Sequence, residues 1–146
     1  MIVRSTHLAE SADMDLRRRR SRLQADHLTR RAEVLKAPER RLIHDLFDAG
    51  RACSQIAAEL GRDARTVRRE VRGITRRLLD PRFDFVLARS ERWRPTRRRV
   101  AQSVYIHGNG LRETARELGL SLYCVRRHRD AIEALFEAEA GHAATA

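Results

Sequence analysis

Residues 54–70 read Ser-Gln-Ile-Ala-Ala-Glu-Leu-Gly-Arg-Asp-Ala-Arg-Thr-Val-Arg-Arg-Glu, and residues 111–128 read Leu-Arg-Glu-Thr-Ala-Arg-Glu-Leu-Gly-Leu-Ser-Leu-Tyr-Cys-Val-Arg-Arg-His. In each stretch a small residue, Ala57 or Ala115, is followed by Gly61 or Gly119 and then by Val67 or Val125. That order predicts two helices crossing steeply over a short turn. The alanine permits close approach. The glycine tolerates the left-handed backbone that the turn requires. The valine anchors the second helix on the first, and Leu60 or Leu118 completes the expected small core.

The two stretches belong to a longer internal duplication. A shift of 58 residues, without a gap, places Arg40 and Arg41 on Arg98 and Arg99, Gly50 on Gly108, and Glu59-Leu60-Gly61 on Glu117-Leu118-Gly119. It also places Val67-Arg68-Arg69 on Val125-Arg126-Arg127 and Ile74 on Ile132.

Outward from these stretches most of the chain reads as helix. Residues 1–13 carry no period and are expected to fray. Met14 to Lys36 is strongly basic, with Arg17-Arg18-Arg19-Arg20 and Leu16, Leu23, Leu28 and Leu35 at weak amphipathic spacing; it reads as a helix or as a solvated arm. Pro38 opens a helix with Leu42, Ile43, Leu46 and Phe47 on one face, ended by Gly50. Ser54 is the expected cap of the next helix. Asp63 caps the third, where Val67, Val71, Ile74 and Leu78 recur at steps of four, three and four. Asp80-Pro81 starts a short connecting helix to Arg89 that buries Phe83, Val86 and Leu87. Trp93 is expected to pack between the two repeats. The expected organisation is a basic arm (1–36), a first unit (37–80), a linker with a short helix (81–95), a second unit (96–140) and a disordered tail (141–146).

Aromatics make up only 5% of the residues, so the core must be aliphatic, which favours helix over strand. The net charge is +11 with 31 cations against 20 anions, and Lys36 is the sole lysine. Such an excess seeks a polyanion, and guanidinium forks suit phosphate and guanine edges. Cys53 and Cys124 lack metal-ligand spacing, and no two of the six histidines lie four residues apart. No metal or other cofactor is expected. The first residues hold no apolar run of signal-peptide or membrane-span kind, so the expectation is a reduced, cytoplasmic protein with no membrane partner.

These features specify an all-α protein with two tandem helix-turn-helix units of three helices each. The stretch 111–128 resembles region four of bacterial sigma factors, and 54–70 resembles the same unit and the DNA-binding heads of resolvases and insertion-sequence transposases. The likeness covers residues 38–79 and 96–137. It implies a bacterial or phage, nucleoid-associated protein in which residues 65–72 and 123–129 read DNA.

The candidate DNA-binding residues are Arg65, Thr66, Arg68, Arg69 and Arg72 in the first unit. In the second they are Tyr123, Arg126, Arg127 and Arg129, with His128 beside them. Ser54, Asp63, Arg112 and Ser121 mark helix N-termini whose backbone amides could meet phosphate. The expected function is sequence-specific binding of double-stranded DNA in transcription regulation, through two unlike half-sites, about 10 base pairs apart if both units lie on one face of the duplex. Competing readings are a DNA-recognition subunit of a mobile element or phage (a transposase accessory factor or small terminase) and a basic RNA- or RNA-polymerase-binding module. No phosphate-cradling glycine loop, nucleophile elbow or metal cluster is evident, so an enzyme is not expected. Oligomeric state, operator and direction of regulation are left open by the sequence.

Overall fold

A computed structural model of the chain describes residues 21–145, and every regular element among them is helical. The all-α expectation holds. Readings that rest on residues 1–20, including the fraying of 1–13, Leu16 and the run Arg17–Arg20, lie outside the described residues. The chain divides into two compact units between Arg69 and Glu70. This division falls inside a helix, whereas the sequence places a boundary at Asp80.

In the first unit, helix α1 covers residues 21–32. It buries Leu28 and Ala32, with Leu35 just beyond, while Leu23 is exposed. Helix α2, Ala37–Ile43, has proline in its first turn, buries Leu42 and Ile43, and continues as a π turn over His44–Asp48. Glu33 meets His44 Nε2 at 2.7 Å, which ties the end of α1 to this turn. Helix α3, Cys53–Leu60, buries Ile56 and Ala57 and ends at Gly61 with φ 62° and ψ 32°. The turn closes as Arg62 N–H donates to the Ala57 carbonyl at 2.9 Å. Helix α4 spans Ala64–Leu79. Asp63 Oδ2 accepts the Thr66 N–H at 3.0 Å, and Val67 is fully buried.

The second unit repeats this sequence of elements. Helix α5, Pro81–Arg89, is capped by Asp80, whose side chain accepts the Arg82 N–H at 2.9 Å. A 3-10 turn, Ser90–Arg92, leads to helix α6, Pro95–Ala101, and a π turn, Gln102–Ile106. Helix α7, Leu111–Leu118, ends at Gly119 with φ 65° and ψ 34°. Helix α8 runs from Leu122 to Thr145, and Ser121 Oγ accepts the Cys124 N–H at 3.1 Å. Val100, Ala115 and Val125 form a buried cluster, with Val104, Leu111, Leu118 and Leu120 packed on it. Helices α6 and α7 both pack on α8.

The bounds of α2, its π turn and α3 recur 58 residues later, residue for residue, in α6, its π turn and α7. The loop between them is pinned at matching positions by different chemistry. In the first unit Arg51 bridges Glu59 and lies 3.5 Å from Asp45, which holds the Glu59 carboxyl below its usual range. In the second, Asn109 Nδ2 donates to Glu117 at 2.7 Å and to Ser103 Oγ at 3.1 Å. Ser103 also meets the fully buried Thr114 hydroxyl at 2.9 Å, where the first unit has apolar Ile56.

The two turn glycines have open space where a Cβ would stand, so substitution strains the backbone without a clash. Gly61→Ala and Gly119→Ala are each expected to cost about 1–2 kcal/mol. Urea unfolding of the single variants checks this; losses of a few tenths would show that the turns relax out of the left-handed region.

Four expectations need correction. Ser54 is not a cap: Ala52 occupies the cap position of α3, and Gln55 Oε1 accepts its N–H at 3.0 Å. Leu60 is 55% exposed, whereas Leu118 packs on its core beside Leu120. Arg62 stands at the position of Leu120, so Leu60 lacks that apolar neighbour. In α5 it is Phe85 that is buried and Leu87 that is exposed. Phe85 meets Trp93 at 5.6 Å and Phe136 at 5.5 Å between ring centroids. Finally, the expected tail from residue 141 is helical through Thr145. Arg82 pairs with Glu133 at 2.9 Å and Arg89 with Glu139 at 2.8 Å, which fastens α5 along the later turns of α8. Tyr105 also donates to Glu133 at 2.6 Å; burial and that carboxylate push its phenol well above the ordinary value.

Candidate nucleic-acid interface

Helix α4 presents two chemically opposite faces. Val67, Val71, Ile74 and Leu78 are buried. Arg65, Arg68, Arg69 and Arg72, at helical spacing of three, four and seven, are exposed. They form one cationic stripe along the helix. Thr66 is half-buried, and its hydroxyl is engaged with Asp63 Oδ2 at 3.3 Å, so it orients the first turn.

Helix α8 has the same layout over its first turns. Val125 and Ile132 are buried, while Tyr123, Arg126 and Arg127 are exposed. Tyr123 is 70% exposed, so its ring covers no core. The Arg127 guanidinium stands over it, 5.9 Å from the centroid. Arg129 differs from the others: it is half-buried and bonded through Nε to Asp130 at 2.9 Å, which neutralises it locally.

The helix starts are less open than the sequence implies. The Thr66 and Cys124 amides are already taken by Asp63 and Ser121. Arg112, like Ser54, is exposed in the first turn of its helix, after the Gly110 cap. His128 is half-buried, and burial together with Arg97 and Arg127 lowers its imidazole below the ordinary value. Arg97, which sequence reasoning passed over, lines a cleft with Tyr123, Arg127 and His128. The signal for it was present in the repeat, where the position of Arg97 corresponds to Glu39.

Among the described residues no group of three or more His, Cys, Asp or Glu side chains is placed to hold a metal ion. No helix there is long and apolar enough to cross a membrane. No curated protein and no solved structure matches the chain. Residues 34–73, which run from the turn after α1 to Gly73 in α4, match the family model of the helix-turn-helix domain, and this match points to DNA as the partner of that unit.

Proposed function

We propose that the protein binds double-stranded DNA sequence-specifically as a transcription regulator, reading two unlike half-sites with α4 and α8. The observation that carries this reading is the exposed arginine stripe of α4, answered 58 residues later by the exposed face of α8. A recognition helix in the major groove needs its outer face to carry base-reading side chains while its inner face is held by a core. Arg68, Arg69, Arg126 and Arg127 suit guanine edges, which accept two hydrogen bonds from one guanidinium. The faces differ at Arg65-Thr66 against Tyr123-Cys124, so the preferred site is asymmetric.

Selection from a random duplex library with the full-length chain tests the proposal. The expected result is enrichment of an asymmetric site with two short conserved blocks. Duplex binding without enrichment would leave only charge-driven association and end the sequence-reading claim.

A second reading keeps DNA but places the protein in a mobile element or phage, as a subunit that recognises an end or packaging site. The observation in its favour is the extension of α8 to Thr145 with Leu135 exposed, which offers a longer helix for self-association than the sequence implies. Light scattering separates the two: a ring-sized assembly supports the second reading, and a monomer the first.

A further inference from the structure

We infer that the cleft between α6 and the first turns of α8 binds a phosphate group, and we assign that phosphate to the backbone of a duplex held by the second unit. The assignment to a duplex rests on the DNA-binding reading above; the cleft's affinity for phosphate does not.

The cleft is about 340 Å³, lined by Arg97 from α6 and by Tyr123, Cys124, Arg127, His128 and Ala131 from α8. Its basic groups come from two helices, and no carboxylate lines it. Arg97 Nε is shielded from solvent and has no hydrogen-bond partner among the described residues. The acids of α8 near the cleft are engaged elsewhere: Asp130 with Arg129, and Glu133 with Arg82 and Tyr105. A tetrahedral oxyanion supplies the acceptors that this cleft lacks, and two guanidiniums with an imidazole match its oxygens.

The duplication makes the assignment specific to the second unit. The positions equivalent to Arg97 and His128 are Glu39 and Glu70, whereas that of Arg127 is Arg69. Two basic groups of the cleft thus correspond to two carboxylates in the first repeat, which could not receive phosphate in the same way. The two repeats are therefore expected to hold the backbone unequally.

The same geometry links binding to protons. The charged groups acting on His128 are Arg97 from α6 and Arg127 from its own helix; Tyr123 and Cys124 are the other titratable groups lining the cleft, and α7 contributes none. With two cations nearby and partial burial, the unliganded imidazole favours its neutral form. An adjacent phosphate reverses that preference, so binding takes up a proton. Affinity then rises as pH falls through the raised value of the bound imidazole, and levels off below the lowered value of the unliganded one.

The test uses the full chain with two probes, inorganic phosphate and the selected duplex. First, the His128 ring proton, identified by its loss in His128→Gln, is titrated by NMR with and without phosphate at matched ionic strength. Phosphate is expected to raise its midpoint, and Arg97→Gln to abolish the effect. Second, duplex affinity is measured at about pH 6 and about pH 8. The wild type is expected to bind about fivefold to tenfold more tightly at the lower pH, and His128→Gln to lose most of that difference. A phosphate-insensitive His128 would overturn the cleft. A phosphate response with equal pH dependence of duplex binding in wild type and His128→Gln would overturn the backbone assignment and leave free phosphate as the ligand. A phosphate response in a chain that binds no duplex would instead sink the DNA reading while the cleft stands.

Discussion

Replacing Phe83 with alanine is expected to destabilise the second unit by about 3–5 kcal/mol, the range for truncating a fully buried aromatic ring. Phe83 is 1% exposed and is the largest of the fully buried side chains. It sits in α5, which packs on the π turn following α6. The void left by the ring cannot be refilled from a core built mostly of Val, Ile and Leu without moving helices. Small domains are stable by only about 5–15 kcal/mol in total, so this loss is a large share. Urea unfolding followed by circular dichroism should show a markedly earlier transition. Phe83→Leu, which keeps most of the volume, should recover much of the difference. A loss under about 1 kcal/mol for the alanine variant would mean that the site collapses, and that Phe83 does not hold α5 in place.

Substituting Arg68 and Arg69 together with alanine is expected to weaken binding to the selected site by about 1–3 kcal/mol, or about 5- to 150-fold, through loss of a bidentate base contact. Both side chains are exposed, so stability should change by no more than about 0.5 kcal/mol, and the urea midpoint serves as the control. The discriminating measurement is the ratio of affinities for the selected site and a scrambled duplex. A base-reading pair lowers that ratio. A pair that only meets phosphate lowers both affinities alike and flattens the salt dependence. Equal losses on every sequence would remove base reading from α4.

Much of this architecture is written in local patterns. The steps of four, three and four through Val67, Val71, Ile74 and Leu78 specify one buried face of α4, and those residues are buried. Gly61 and Gly119 stand where the chain turns left-handed, because only a residue without Cβ enters that region freely. Asp63, Asp80 and Ser121 cap helices through short side-chain bonds within three residues, a distance over which sequence is an adequate guide. Ser54 failed as a cap because Gln55 reaches back to the Ala52 amide and starts the helix earlier. Pattern alone does not choose between two such local bonds.

Of the candidate interface, the arginine stripes of α4 and α8 were legible, since solvent exposure follows once the buried face is known. Arg129 was not, because its pairing with Asp130 depends on rotamers rather than on helical period. Leu87 was exchanged for Phe85 because the ring of Phe85 meets Trp93 and Phe136, and no window of α5 contains either partner.

By itself, then, the sequence determined the helical elements, their turns, the caps at Asp63, Asp80 and Ser121, and the duplication, all of which arise from interactions within a few residues or from a repeat visible by shifting the chain. Only the tertiary structure decided that α8 continues to Thr145, where Arg82 and Arg89 find acids some 50 residues away. It alone brought Arg97 beside Arg127 and His128. Such meetings depend on how helices cross, which is fixed by the shape of the core between them and not by the period along any one helix.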